Sequence, residues 1–189
     1  LKMKKILLVI ALIFGITTGA NAQFKSEGFK LIGSVGVGIS WVKAGMNVLG
    51  LEGDGTTFGT VNPQLELTAG VNVMPELFIG VGLGYDARCG VTNLEGTQNE
   101  LKVPAHVRFY TTPERNGGII IDVKGGYSRL FINGGGMNGG NIFIGPGYMF
   151  SGKYAISLGY EGSFFRYKDD LAKLTCSYNG IAARFTYEF

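Results

Sequence analysis

Cysteine, histidine and tryptophan are scarce in this chain of 189 residues, which contains two, one and one of them respectively. One histidine with no cysteine beside it is a poor basis for a zinc site, because zinc takes three or four protein ligands. The two cysteines can form one disulfide at most. No run of 18 or more apolar residues occurs, which excludes a membrane-spanning helix.

Charged residues are also few, at 16% of the chain, and they are balanced once the amino terminus is set aside. Lys2, Lys4 and Lys5 account for the whole formal charge of +3, so residues 23–189 contain 17 − 3 = 14 basic and 14 acidic residues. A neutral chain gives no electrostatic reason to bind nucleic acid. We therefore expect no nucleic-acid partner.

The amino terminus has the pattern of a secretory signal peptide. Met3-Lys-Lys is followed by an apolar run over 6–16 and by a small-residue cleavage site that ends at Ala22. This pattern predicts a signal peptide over 1–22 and one exported domain over 23–189.

The carboxy terminus alternates strictly between apolar and polar residues, which indicates a β-strand with one apolar face. The apolar positions are Ile181, Ala183, Phe185, Tyr187 and Phe189, and the polar ones between them are Arg184, Thr186 and Glu188. A closed barrel can place one such face in hydrocarbon and the other in a polar interior. Phe185, Tyr187 and Phe189 are further predicted to be the carboxy-terminal signal for barrel assembly.

The same alternation predicts eight strands, and hence an all-β fold, an eight-stranded antiparallel transmembrane β-barrel. The predicted strands are 29–41, 61–73, 77–86, 98–110, 118–129, 141–150, 154–165 and 180–189. The outward residues are odd-numbered in all of them except the sixth and seventh, where they are even-numbered. Pro104 falls at an inward position of the fourth strand, so we expect a bulge or bend there.

Loop lengths predict the orientation, because barrels of this kind have short periplasmic turns and longer outer loops. The longer connections are 43–58, 90–97, 131–140 and 167–177, which we expect to be extracellular. The shorter ones are 74–76, 111–117 and 151–152, which we expect in the periplasm with both termini. The predicted location is the cell outer membrane.

Aromatic residues lie near the predicted strand ends, where they would form two interfacial girdles. They are Trp41, Phe109, Tyr110, Tyr148, Phe150, Tyr154, Phe164, Tyr187 and Phe189. A soluble lipocalin-like barrel also alternates, but it would turn its apolar face inward. The broad apolar face with aromatic edges favours the membrane barrel.

The polar face places charged residues inside the barrel, where an eight-stranded wall leaves little room beyond the side chains themselves. The predicted lumen set is Lys30, Glu66, Asp86, Arg88, Glu100, Lys102, His106, Arg108, Asp122, Lys124, Glu161, Arg184 and Glu188. Six are acidic and six basic, with His106 apart. Enclosed charges must pair, so the set predicts a salt-bridged plug, with a narrow polar pore as the alternative.

Three further patterns have a possible chemical interpretation. His106 could be a general base, as in lipid-modifying barrels that use His and Ser, but its inward position favours a core histidine. The glycine runs over 33–38 and 80–84 are not followed by a helix, so they do not predict a phosphate-binding loop. Cys89 and Cys176 fall at the outer ends of their strands and form either a disulfide or two free thiols.

The segment Glu100-Leu-Lys-Val-Pro-Ala-His-Val-Arg-Phe-Tyr110, the glycine-rich strand over 78–85, the Ser-Gly turn and the terminal Phe189 carry a family resemblance. They resemble the outer-membrane β-barrel domain, or "porin family", proteins common in Bacteroidetes. The resemblance covers essentially the whole exported chain and implies a barrel of OmpA or OmpX size. It implies no catalytic motif and no cofactor.

The function hypothesis is a non-enzymatic integral outer-membrane protein with a structural, surface or assembly-partner role. The alternatives are a small-solute porin and an accessory subunit of a larger outer-membrane complex. The expected partners are outer-membrane lipid, the barrel-assembly machinery during biogenesis and other outer-membrane proteins. We expect no metal, no cofactor and no catalytic residue.

Overall fold

The alternating segments form strands in the computed structural model, which describes residues 28–48, 51–54, 58–89, 98–112, 117–132, 135–168 and 172–189. The described residues contain nine strands. They are β1 (Phe29–Val48), β2 (Leu51–Asp54), β3 (Phe58–Met74), β4 (Leu77–Arg88), β5 (Gln98–Tyr110), β6 (Gly117–Ile132), β7 (Gly135–Phe150), β8 (Tyr154–Lys168) and β9 (Ala172–Glu188). The predicted signal peptide and the predicted loop 90–97 lie outside the described residues.

Eight of these strands close into a barrel, which confirms the predicted fold. β1 and β3 to β9 pair in order, each antiparallel to the next, and β9 pairs back onto β1. The short β2 pairs with β1 alone and extends it as a hairpin. We call the end that carries Phe29 and Phe189 the inner end, and the opposite end the outer end. No helix in the described ranges is long and apolar enough to cross a membrane.

The strands are staggered as they pass around the barrel. A ladder row that starts at Lys30 on β1 crosses β3 to β9 and returns to β1 at Ser40, ten residues further along. With ordinary strand spacing and rise, this stagger corresponds to a tilt of roughly 40° from the barrel axis. The tilt brings inward residues of distant strands to one level, which assembles the lumen clusters described below.

The two faces of the wall differ in chemistry as the alternation predicts. Leu65, Val81 and Leu158 point outward, and their side chains are 61%, 60% and 57% exposed. Polar side chains such as Thr68 and His106 point inward and are fully buried. An apolar exterior around a polar interior is the reverse of a soluble barrel and is the arrangement that a bilayer requires.

Several strands continue beyond their predicted ends, at the outer end of the barrel. β1 extends to Val48, β7 begins at Gly135 and β9 begins at Ala172, so much of 43–58, 131–140 and 167–177 is strand and not loop. The prediction of long loops there was wrong because these segments are rich in small and polar residues. Backbone pairing with a neighbouring strand does not require apolar side chains.

Pro104 is buried on the inner face of β5, but the expected bulge is absent from this strand. Val81 pairs with Ala105 and Gly84 pairs with Lys102, so the register is the same on both sides of the proline. The register shift lies elsewhere, between Asn72 and Met74 beside the turn into β4. A missing donor at Pro104 therefore interrupts pairing with β4 without displacing the strand.

A cluster of aromatic side chains lies on the outward-facing surface of the barrel, near the inner end. The ring centroid of Tyr154 lies 5.9 Å from those of Phe150 and Phe185 and 5.1 Å from that of Tyr187. Tyr187 and Phe189 are in edge-to-face contact at 4.7 Å. These rings have the position and composition of an interfacial girdle.

Close approach of neighbouring strands makes one glycine a sensitive test of this architecture. A Cβ on Gly180 would lie 1.9 Å from the carbonyl oxygen of Ile39, whereas a Cβ on Gly59 would meet no atom within 4 Å. We expect Gly180→Ala to lower the free energy of unfolding by about 1–3 kcal/mol through overpacking. Gly59→Ala should change it by less than about 0.5 kcal/mol.

The measurement is urea unfolding of the two variants in lipid vesicles, followed by tryptophan fluorescence. Equal midpoints for the two variants would show that the wall tolerates a methyl group at the β9–β1 contact.

Candidate functional site

The lumen is the candidate site because it contains most of the charged side chains that the structure describes. Every one of the thirteen predicted lumen residues lies on the inner face of its strand. Twelve are buried, and the side chain of Lys30, at the inner end, is 13% exposed. Direct ion pairs divide the twelve charged residues into three clusters, which we call the inner, central and outer clusters.

The inner cluster contains Lys30, Arg108, Asp122 and Glu188, with His106 attached. Arg108 donates to both carboxylate oxygens of Asp122, from Nε at 2.6 Å and from Nη2 at 2.8 Å. Its Nη1 donates to Glu188 Oε1 at 2.9 Å, and Lys30 Nζ donates to Glu188 Oε2 at 2.9 Å. His106 Nε2 lies 2.8 Å from Asp122 Oδ1. Two cations thus face two carboxylates.

The central cluster joins six side chains from six strands. They are Glu66, Asp86, Lys102, Lys124, Glu161 and Arg184. Lys102 pairs with both Asp86 and Glu161, and Lys124 pairs with Glu66. Arg184 connects the two halves, with Nη1 3.3 Å from Glu66 Oε2 and Nη2 3.5 Å from Glu161 Oε1. Three cations face three carboxylates.

The outer cluster is a single ion pair supported by polar and aromatic neighbours. Arg88 pairs with Glu100, and Ser163 donates to Glu100 Oε1 at 2.9 Å. The guanidinium carbon of Arg88 lies 3.9 Å from the ring centroid of Tyr178, which is a close cation–π contact. Tyr178 in turn donates to Gln98. One cation faces one carboxylate.

Each cluster is therefore electrically neutral by itself. Burying an isolated charge costs several kcal/mol, and the cost is offset only where an opposite charge and hydrogen bonds replace the lost water. A lumen that was neutral only in total could still contain regions with an excess of positive or negative charge. The described ion pairs show no such region. The arrangement holds the charges in place and leaves no fixed charge of one sign along the axis to attract a mobile ion.

Two apolar groups, which we call caps, pack inside the lumen, one near each end. The Lys30–Glu188 pair lies at the level of the inner cap, since Glu188 pairs with Ile32 across the β1–β9 ladder. The inner cap consists of Ile32, Phe78, Tyr110, Ile120, Met149 and Ala155. The outer cap consists of Val42, Leu130, Met137, Phe165 and Tyr178, with Ile132 and Cys176 packed against it. Sequence reasoning missed both caps, although large apolar residues at inward positions of otherwise polar faces were a signal for them.

One small cavity lies beside the central cluster. It is bounded by Gln64, Glu66, Asp86 and Arg184 and has a volume of about 10 Å³, which is room for roughly one water molecule. Side chains therefore fill most of the lumen at this level.

His106 is enclosed by this packing. Its ring meets the ring of Phe78 edge to face, with centroids 5.5 Å apart, and its only hydrogen bond among the described contacts is to Asp122. No serine lies within hydrogen-bonding distance of it in that set, and the residue is fully buried. No group of three His, Cys, Asp or Glu in the described ranges is placed to hold a metal ion.

Two residues differ from their sequence predictions. Tyr110 was expected in a girdle, but it points into the lumen and donates to Glu188 at 2.7 Å. Cys89 and Cys176 are free thiols, so the disulfide alternative was wrong. Cys89 follows the inward-pointing Arg88 and therefore points away from the lumen. Cys176 points into the lumen, where it packs against the outer cap. The wall separates the two sulfur atoms.

The three residues of the predicted assembly signal lie on the outer face of β9 and just beyond it. Phe185 and Phe189 are exposed and Tyr187 is partly exposed, all within the aromatic cluster of the inner end. Their role as a signal stays a prediction.

No family model matches the chain, and no curated protein matches it either. The resemblance to the porin family of Bacteroidetes therefore stays a prediction. Several solved structures are similar.

Neisserial surface protein A is 11% identical and aligns over 83% of this chain and 96% of its own, with a TM-score of 0.47. The amino-terminal β-barrel domain of Pseudomonas aeruginosa OprF is 13% identical over 82% and 97%, with a TM-score of 0.46. The outer membrane protein OprG of Pseudomonas aeruginosa is 10% identical over 86% and 96%, with a TM-score of 0.47. At this distance, function has to be argued from the geometry of the chain itself.

The outer cluster allows a direct test of buried charge pairing. We expect Arg88→Met to lower the free energy of unfolding by about 3–5 kcal/mol, because it leaves the Glu100 carboxylate buried without a counter-charge. Adding Glu100→Gln should recover part of this loss. Arg129→Met, at an exposed arginine with no ion pair, should cost less than about 0.5 kcal/mol.

Urea unfolding in vesicles again provides the measurement, analysed as a double-mutant cycle. Simple additivity of the Arg88 and Glu100 substitutions would contradict the pairing.

Proposed function

We propose that this protein is a non-enzymatic integral protein of the outer membrane whose sealed barrel anchors and presents its outer end. Its broad apolar outer face suits contact with lipid, and paired charges and two apolar caps occupy the lumen among the described residues. The outer end, with its strand extensions and the β1–β2 hairpin, is the part of the described chain available to soluble or membrane partners.

One observation carries this proposal: three neutral charge clusters occupy the lumen along its length, with an apolar cap near each end and the Lys30–Glu188 pair at the level of the inner cap. A diffusion pore needs a water-filled path lined by polar groups that exchange their contacts readily. Here the lumen cations are committed to carboxylates, and the caps would oppose the entry of an ion or sugar. The small-solute porin is therefore the weaker alternative.

One feature of the wall is compatible with the accessory-subunit alternative. The outer wall contains an apolar groove of about 550 Å³, lined among others by Val35, Leu65, Leu83 and Phe185. Such a groove accepts either lipid chains or the wall of a second barrel. Extraction in mild detergent followed by mass determination of the particle separates the two cases. Stoichiometric co-purification of another envelope protein would favour the subunit role.

Conductance in planar bilayers tests the sealed lumen. We expect the protein to give no stable unitary conductance, because paired charges and the two apolar caps occupy the described lumen. The balanced variant Lys102→Ala with Glu161→Ala removes one charge of each sign and leaves both caps intact, so it should stay closed as well. Stable openings of the unmodified protein would contradict the proposal and favour the porin.

Thiol labelling of whole cells tests the orientation. In a background of Cys89→Ser and Cys176→Ser, a cysteine introduced at Gly135, at the outer end, should react with a membrane-impermeant maleimide. One introduced at Lys153, in the turn between β7 and β8, should react only after the outer membrane is opened. The reverse pattern would place the two ends on the opposite sides of the membrane.

A further inference from the structure

Three basic side chains point outward at the outer end of the wall. They are Lys43 on β1, Arg129 on β6 and Arg166 on β8, and all three are exposed. Their sequence neighbours Val42, Leu130 and Phe165 are buried in the outer cap, which places the basic side chains on the opposite, outer face.

Ladder pairing brings these cations to one side of the barrel. Arg129 pairs with Asn138, Asn138 with Arg166, Arg166 with Thr175, and Thr175 with Gly45. Lys43 lies two residues before Gly45 on the same face. Because neighbouring strands are about 4.8 Å apart, Arg129 and Arg166 are roughly 10 Å apart along this row. The row crosses five adjacent strands.

These cations form no ion pair, in contrast to those of the lumen, and Arg129 lies 5.5 Å from the ring centroid of Phe131. None of the three forms an ion pair with any described residue, and no outward position with a described side chain on the barrel strands is Asp or Glu. Among the described side chains, every buried cation has a carboxylate partner and the charges on the outer face at this rim are all positive. The complementary ligand is an anion.

A groove of about 820 Å³ lies between Lys43 and Arg166, with Arg129 outside its lining, and we call it the rim groove. Its lining includes Lys43, Arg166, Asn138, Thr175, Ser177 and Phe164. Small residues of β9 form its floor between the two long basic side chains. The groove thus combines two cations with hydroxyl and amide groups, which are the donors that bind phosphate oxygens.

A hydrogen bond from Tyr127 orients the side-chain amide of Asn138 and leaves its Nδ2 group available as a donor. Tyr127 donates from its hydroxyl to Asn138 Oδ1 at 2.8 Å, so the acceptor oxygen is used and the Nδ2 amide protons remain for a ligand. The backbone of Tyr127 is held against β7, because Asn141 Nδ2 donates to its carbonyl oxygen at 3.0 Å. The amide is therefore oriented before any ligand arrives.

We propose that the rim groove binds the phosphate-bearing headgroup of an anionic lipid in the outer leaflet. The groove meets the apolar wall directly, since Phe164 lines it and Tyr160 and Ile142 continue the same outward face toward the inner end. A headgroup held by Arg166, Lys43 and Asn138 would leave its acyl chains along that wall. This continuity favours a lipid over a soluble phosphate, and the leaflet assignment rests on the orientation proposed above.

Trp41 provides a built-in reporter for the test. It is the only tryptophan of the chain, it is 54% exposed on the outer wall, and it lies two residues from Lys43 on the same face of β1. Lipids with brominated acyl chains quench tryptophan fluorescence on contact. The fraction of quenching in mixed vesicles therefore reports how strongly a given lipid competes for the wall beside the rim groove.

The experiment compares three brominated lipids in phosphatidylcholine vesicles that contain the full-length barrel. They are bisphosphorylated lipid A, the same lipid after removal of its phosphates, and phosphatidylcholine. We expect preferential quenching by the phosphorylated lipid. The triple variant Lys43→Gln, Arg129→Gln and Arg166→Gln should lower its relative affinity by about tenfold or more, as expected for losing charge-assisted contacts.

Lys153→Gln, which removes an exposed lysine at the inner end, is the matched control and should bind as the unmodified protein does. Heat-modifiable migration on gels checks that every variant is folded. Equal quenching by phosphorylated and dephosphorylated lipid, or unchanged binding by the triple variant, would overturn the proposal. Displacement of the lipid by millimolar inorganic phosphate would overturn it in favour of a soluble-anion site.

The vesicle result does not depend on conductance or on cellular orientation. Open channels in bilayers would reject the sealed-barrel function and leave lipid binding standing. Reversed thiol labelling at Gly135 and Lys153 would overturn only the assignment to the outer leaflet.

Discussion

The β1–β9 ladder is the contact on which the other features of this molecule depend. It joins the first and last strands of the barrel through seventeen residue pairs, from Ile32 with Glu188 to Val48 with Ala172. In hydrocarbon each unpaired backbone N–H or C=O costs several kcal/mol, so an open edge at either strand could not face lipid. Closure also fixes which face of every strand is enclosed, and the separation of charged from apolar side chains follows from it.

Glycine residues of the wall leave the space that the aromatic rings of the caps occupy. A Cβ on Gly70 or on Gly80 would lie 2.7 Å from Cζ of Phe78, and one on Gly139 would lie 2.7 Å from Cδ1 of Phe165. The aromatic ring of each cap therefore occupies space that opposing glycines leave free. Large and small inward residues alternate around the barrel, which is how a narrow interior is filled without displacing the strands.

Much of this architecture could be predicted because the two-residue alternation of apolar and polar side chains indicates both where a strand lies and which of its residues point into the barrel. The alternation identified the strands, the change of parity at β7 and β8, and the inward placement of residues such as Arg108 and Glu161. It could not predict the caps, because Ile32 and Phe78 are apolar residues on the polar face and their partners come from distant strands. Pairing within the clusters also depends on the ten-residue stagger, which a one-dimensional pattern does not contain.

The extent of the strands at the outer end was missed for a different reason. Segments such as 135–140 have few apolar residues, and their pairing is imposed by strands already aligned below them. The rim groove lies in this region, so it could not be recognised from the sequence either. Its cations Lys43 and Arg166 are far apart in the sequence, and only the pairing of β1 and β8 with β9 brings them to one groove.

The division of the lumen into separately neutral clusters has an evolutionary consequence. A substitution that removes Arg88 can be tolerated if Glu100 changes with it, whereas a change at Glu188 on a different level cannot compensate. Homologous chains should therefore exchange lumen charges in blocks, with residues of one cluster varying together and independently of the next. The interior can thus drift in sequence one block at a time while the barrel around it stays the same.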